Sequence, residues 1–485
     1  MGKRNHGLCC SRRHFMSQGA MGISSVALAW LLKEEKLLAD VPPQPEIGVT
    51  HYDVTPKSPT AAPKARAMIS LFMVGGPSQV DLLDPKPLLE KYDGKPFPGV
   101  IKYDNSAQAS SKVLASPWKF RHCGRSGTEI SELLPGLGSI ADDITVIRSM
   151  RTGVDNHGQS IYALNTGRAL AGRPALGSWI TYGLGSESQD LPAFVALTHP
   201  DGAPLLGGEN WSNAWLPSVY QGTLIRPREP RILDLDPPES LKGSPQERQR
   251  EYVRQLDEEH LGGHAGESDL EARISSFELA AKMQTAAKEA IDISGESAAT
   301  RRLYGIDEAV TRDYGTRCLI ARRLVERGVR FVQIYNNGQS WDHHERLASA
   351  LPARCKEIDR PMTALVLDLK SRGLLESTLV HWGGEMGRLP VIQNDTGRDK
   401  VGRDHNTYGF SMWLAGGGIR GGYVHGATDE FGHHAVTDVV NHYDYHATLM
   451  HLFGMDANKL VYKRNGQAMT ILDRQEARVV RELLA

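Results

Sequence analysis

The sequence predicts an α/β fold: a doubly wound, mostly parallel sheet with helices on both faces and one helical or loop insertion. Three observations carry this reading. Short apolar, β-branched runs alternate with helical patterns, helices close on a glycine just before the next such run, and polar residues gather where the runs end. Helix, C-terminal glycine, then a buried strand is how a parallel sheet covered by helices reads in sequence.

Taken in order, residues 68–74 form the first expected strand, ending in Gly75-Gly76. Residues 144–147 form another, followed by a helix over about 158–165 that Gly167 closes. The helix 308–327 ends at Gly328 and gives way to strand 329–335; the helix 359–371 ends at Gly373 and gives way to strand 378–382. Residues 411–415 are a further strand, terminated by Gly416-Gly417-Gly418. Between about 200 and 300 the pattern changes. Trp211, Trp215 and Tyr220 lie in a Gly/Pro-rich stretch, and charged helix-forming sequence follows over about 245–290. This is an insertion on the core, either a cap over the site or a helical arm packed on the surface.

The N-terminal region carries a secretory signature. Ser11-Arg12-Arg13-His14-Phe15-Met16 is a twin-arginine pattern preceded by Lys3 and Arg4, and an apolar run over about 19–32 follows it. That run is too short to span a bilayer, and the pattern is an address read by a receptor. The expected organisation is therefore a signal segment at 1–39, a Pro-rich linker at 40–66 and an α/β domain at 67–485. The expected location is the periplasm or the extracellular space. Cleavage sites at 27–29 and 37–39 are both consistent with the sequence, as is an uncleaved anchor.

Forty per cent apolar and 23 per cent charged residues give a soluble protein with a sizeable core, and a net charge of −1 leaves no footprint for nucleic acid. A membrane is met only through the signal segment. Outside that segment Cys123, Cys318 and Cys355 remain, an odd number without metal-type spacing. Disulfides are not the framework, and Cys318 and Cys355 are expected to be buried small hydrophobes.

In open α/β sheets ligands bind outside the carboxyl ends of the strands. The expected strand ends carry Gln79, Asp81 and Asp84; then Asp155, Asn156 and His157; then Asp342, His343 and His344; then Glu385. Arg403, Asp404 and His405 precede strand 411–415. Asp84 before Pro85 fits a helix N-cap. Mixed imidazole and carboxylate donors suit a divalent metal, and Asp342-x-His344 lets two ligands project from one turn. The candidate metal ligands are Asp81, His157, Asp342, His344, Glu385 and His405. Zn, Mn or Fe is favoured over Ca. The later histidines His425, His433, His434, His442, His446 and His451 are expected to be mainly structural.

The order of motifs resembles the bacterial "domain of unknown function 1501" family. They run Gly75-Gly76-Pro77-Ser78-Gln79, Asn156-His157-Gly158-Gln159, Trp341-Asp342, Gly384-Glu385-Met386-Gly387-Arg388, Gly402-Arg403-Asp404-His405 and the glycine-rich stretch from Trp413 to Gly422. That family in turn resembles alkaline phosphatases and sulfatases, which implies an alkaline-phosphatase-like fold. It also implies a metal-dependent hydrolase of phosphate, sulfate or related esters, acting on a small-molecule or polysaccharide ester. Residues 157–168 have the spacing of a sulfatase signature, which places His157 at the nucleophile position and Ile161 where the signature has Arg. Formylglycine chemistry is therefore contradicted. Met386 stands where a second-metal His is found in those enzymes. His157 is the catalytic candidate as nucleophile, ligand or acid/base, and Arg388 and Arg403 are candidate anion clamps. The alternative is a non-catalytic binding or assembly protein of the cell envelope, since one scaffold hosts many functions.

Overall fold

Ala67–Phe72, buried from end to end, forms β1 at the middle of a nine-stranded sheet. The computed structural model describes residues 52–101, 103, 110–264, 268–393, 397 and 399–485. The expected signal segment and the first part of the linker lie outside the described residues. The other strands are β2 (Ile144–Arg151), β3 (Phe194–Leu197), β4 (Thr223–Ile225), β5 (Phe331–Tyr335), β6 (Thr378–Gly383), β7 (Phe410–Ala415), β8 (Tyr423–His425) and β9 (Val440–Asn441). Their order is β8-β2-β7-β6-β1-β5-β3-β4, with β9 also beside β2. Only β7 runs backwards, antiparallel to both β2 and β6. The other pairings in this sheet are parallel.

The helices that matter here are α1 (Gln79–Leu82), α2 (His157–Thr166), α3 (Leu176–Leu184), α4 (Ser244–Gly263), α5 (Ser268–Ile291), α6 (Arg312–Glu326), α7 (Leu347–Ser371) and α8 (His442–Leu452). Side chains alternate across a strand, so each strand feeds two cores. Ile69, Leu71, Ile334 and Trp382 pack with α6 and α7 on one face. Met68, Phe72, Phe331 and Leu379 pack with α2, α3 and α8 on the other. Cys318 and Cys355 are buried in the first core.

Several elements differ from the sequence expectation. α7 starts twelve residues before the expected 359 and runs through Pro352 and Pro361. An interior proline costs roughly 3 kcal/mol in a helix, but burial of Leu347, Leu351, Cys355 and Ile358 against the core outweighs that. The short helix after Asp84 begins at Pro87, with Lys86 at its N-cap. Asp84 is instead buried in ion pairs with Lys86 and Arg148 and takes the Thr428 hydroxyl. The 200–300 segment first completes the sheet with β4 and only then leaves it. α5 returns Met283, Ala287 and Ala290 to the core, whereas α4 buries no side chain. Ala272 at the start of α5 is buried in the opposite core, so the segment touches both faces of the sheet.

Residues 52–66 lie against the domain as an extended strap. Lys57, Ala61 and Lys64 donate backbone N–H groups to Leu184, Gly454 and Leu452 carbonyls at 3.0, 3.0 and 2.8 Å. The Lys57 ammonium sits over the Tyr182 and Tyr220 rings, and burial lowers its pKa against the opposing charge of Asp53. Among the described residues no helix is long and apolar enough to cross a membrane.

Candidate metal centre

Four chain segments meet at the carboxyl edge of the parallel strands. β2 leads into His157, the first residue of α2, whose N-cap Asn156 accepts the Gln159 N–H. β5 leads through residues 336–341 to Asp342 and His344. β6 leads to Glu385 and to the two-residue strand Gly387–Arg388, which pairs antiparallel with His405–Asn406. Because β7 is reversed, the segment before it, not after it, lies at this edge, and that segment carries His405.

Close backbone approach makes the meeting possible. Gly75, at φ +113°, has no room for a side chain: a Cβ there would sit 2.5 Å from the Asp342 nitrogen. A Cβ on Gly402 would lie 2.2 Å from the His344 carbonyl carbon. Gln79 in α1 pins the short ladder from below, its amide donating to the Arg388 carbonyl and accepting the Arg388 N–H.

His157, Asp342, His344 and His405 each offer one ligand atom, and these atoms lie within 4.8 Å of one another. The Asp342 Oδ1 is the common partner. It stands 3.3 Å from His157 Nε2, 2.8 Å from His344 Nε2 and 3.5 Å from His405 Nε2. The opposite nitrogen of each ring is held from behind. His157 Nδ1 meets Glu385 Oε1 at 2.6 Å, His405 Nδ1 meets the Asp155 carbonyl at 3.0 Å, and His344 Nδ1 meets the Gln393 side-chain oxygen. Acceptors at Nδ1 hold a proton there, so Nε2 is the atom each neutral ring turns toward Asp342, the arrangement that orients metal-binding histidines. His344 and His405 then face each other through Nε2 at 3.0 Å. Two lone pairs at that distance repel unless a cation or proton lies between them. The donor set therefore fits a divalent metal.

Electrostatics agree. Burial pushes Asp342 up, but the Arg388 guanidinium at 2.6 Å and the three imidazoles hold its carboxyl far below the usual carboxylate range. Burial pulls His157 down, yet its hydrogen bonds to Asp342 and Glu385 raise it to about 9. Burial lowers His405. A cation binding here displaces the His157 proton.

Of the six residues expected to bind metal, the structure brings four together and leaves two outside. Glu385 is fully buried behind His157 and also accepts the Gly75 N–H at 2.8 Å. Asp81 is turned away: both its oxygens take the Arg403 guanidinium, at 2.8 and 3.0 Å, and Ser78 donates to it as well. That pairing also corrects the expectation for Arg403 as an anion clamp, since pair and guanidinium are wholly buried. Arg388 is equally buried and spends its donors on the carbonyls of Gly75, Gly76 and Arg403, so its charge acts on Asp342 and not on an incoming anion. Gln393 went unnoticed in the sequence because it belongs to no motif and follows no strand. None of the later histidines joins the cluster; His446, for example, bonds the Leu164 carbonyl at 2.7 Å.

Among solved structures the chain is similar to the PsFucS1 sulfatase from Pseudoalteromonas sp. at 14% identity, covering 81% of this chain and 68% of that one, with a TM-score of 0.34. It is similar to the lipoteichoic acid synthase LtaP from Listeria monocytogenes at 10% identity, covering 87% and 79%, with a TM-score of 0.34. The phosphonate monoester hydrolase SpPMH from Silicibacter pomeroyi gives 10% identity, 72% and 71% coverage and a TM-score of 0.33. No curated protein matches the chain. Residues 65–484, which hold the whole sheet and all four converging residues, match the family described as "Protein of unknown function (DUF1501)", and the chain belongs to that family.

Proposed function

We propose that this chain is an exported, metal-dependent hydrolase of phosphate, sulfate or related esters. One observation carries the reading: His157, Asp342, His344 and His405 converge at the ligand-binding edge of the sheet with every ring oriented from behind. When bound, a divalent ion would polarise an ester oxygen there. Glu385, Gln393 and the Asp155 carbonyl keep the three rings aimed inward. Arg388 offsets the Asp342 charge and locks that carboxylate in place. The His157 and His405 side chains are 8% and 6% exposed against 30% for His344, so an ester reaches the site past His344 while the other wall excludes water.

Donor count favours a second reading of equal clarity. Four protein ligands would complete a tetrahedral ion, the closed form of structural zinc. That form supports a non-catalytic envelope protein in which the metal ties four loops together. A five- or six-coordinate Mn or Fe leaves positions for substrate and supports the hydrolase. The test is elemental analysis of protein purified without chelator, paired with turnover of aryl phosphates and aryl sulfates. The hydrolase reading expects bound metal and turnover, with His157→Ala lowering both while the fold survives. Stoichiometric zinc without turnover supports the closed structural site, and native protein that takes up no metal sinks both.

A further inference from the structure

An open cleft of about 680 Å³ lies between the start of α5, the loop 214–218 and the hairpin Tyr462–Met469. Its volume falls within the usual range of ligand sites, roughly 300–1,000 Å³. The floor is aromatic. Trp215 stacks on Tyr462, ring centroids 5.5 Å apart and planes 27° apart, and Trp215 also meets the Trp179 edge. The rim is cationic: Arg273, Lys463 and Arg464 face a single carboxylate, Asp269. Among the described residues none of these three cations is in an ion pair. The Arg464 guanidinium lies over the Trp215 ring at 6.0 Å from its centroid, and Arg273 lies over Phe277 at 5.9 Å. A guanidinium parked on an aromatic face keeps its planar fork free for an acidic group and loses little freedom on binding one.

We propose that this cleft binds a chain of anionic polysaccharide. Unpaired, pre-oriented guanidinium groups match sulfate, phosphate or carboxylate substituents. Ser218 and Asn465, interspersed with them, supply the hydroxyl-directed hydrogen bonds that a sugar backbone needs. Half-buried aromatic edges give apolar surface to ring faces. A purely charge-driven partner such as duplex nucleic acid would use only the first of these features. None of the converging metal-site residues lines the cleft, so it holds the polymer and does not act on it. The proposal deepens the ester-hydrolase reading by making its substrate polymeric, and rests on that reading in this respect alone.

Calorimetric titration with dextran sulfate tests it, with neutral dextran, duplex DNA and inorganic sulfate as comparison ligands. The expected result is saturable binding of dextran sulfate that weakens with salt, no binding of neutral dextran, and much weaker binding of DNA. The surface variant Arg273→Ala/Lys463→Ala/Arg464→Ala should bind at least tenfold more weakly, and Lys463→Glu/Arg464→Glu more weakly still. His157→Ala/His344→Ala should bind as the parent does, which separates the cleft from the metal site. Undiminished binding by both rim variants, equal affinity for DNA, or displacement by inorganic sulfate alone would each overturn the proposal.

Discussion

Glu385 grips His157 through a 2.6 Å hydrogen bond while the same carboxylate oxygen takes the Gly75 N–H at 2.8 Å, so one buried side chain couples the exit of β1 to the start of α2. A buried anion behind an imidazole raises the basicity of the far nitrogen and fixes its aim.

Replacing that anion by a neutral group of the same size should therefore weaken metal binding. Glu385→Gln is expected to lower affinity about ten- to a hundredfold, measured by competition with a chromogenic chelator. Unchanged affinity would reduce Glu385 to a packing residue.

The Asp81–Arg403 pair makes the opposite prediction, an effect on stability. Arg403→Met leaves a carboxylate buried without its partner and should cost about 3–5 kcal/mol in denaturant unfolding. The double change Asp81→Leu/Arg403→Met should recover much of that loss. If Arg403→Met were as stable as the parent, the pair would be solvated in solution and Arg403 free to meet substrate.

Acid should unfold the protein through its buried histidines. Burial lowers His381 and His442 to about 3 and His446 to about 4, against an ordinary value of 6.5. Between 6.5 and those values the unfolded chain binds protons that the folded chain refuses, so stability falls as pH falls. Each ring contributes a slope of about 1.4 kcal/mol per pH unit in that window. Unfolding free energy measured from pH 7 to 4.5 should show it. His446→Gln, which keeps a donor for the Leu164 carbonyl, should flatten the slope by about one ring's share; an unchanged slope would mean that His446 is protonated in the fold.

Export is proposed on the twin-arginine pattern alone. Changing both Arg12 and Arg13 to Lys should leave the protein in the cytoplasm, followed by fractionation and immunoblotting. Periplasmic recovery equal to the parent would remove the claim.

The parallel strands were legible wherever an apolar run met a helix-closing glycine, as at Gly328 before β5 and Gly373 before β6. The reversed direction of β7 was not, because periodicity carries no strand direction. The short strands β4, β8 and β9 were hidden because two or three residues cannot display a period. At the site, His157, Asp342, His344 and His405 could be picked out because each flanks a strand and belongs to a motif. Asp81 looked identical by that criterion, yet it follows β1 by enough residues to turn back onto Arg403. Which carboxylate faces the histidine cluster and which neutralises a neighbour depends on contacts between segments some 320 positions apart, and no local pattern records them.

The strap over residues 52–66 has a mechanical consequence. It runs from the aromatic enclosure of Lys57 straight into β1, a strand with a parallel neighbour on each side. Any pull on the chain upstream of Tyr52 first loads the strap's contacts with Leu184, Leu452 and Gly454, and then loads β1 along its length. Hydrogen bonds on both flanks of β1 would share that force in shear, the direction in which they yield together and not one by one. A tether on this end would strain the sheet at β1, and the Gly75 N–H held by Glu385 would carry part of that load to His157 at the start of α2.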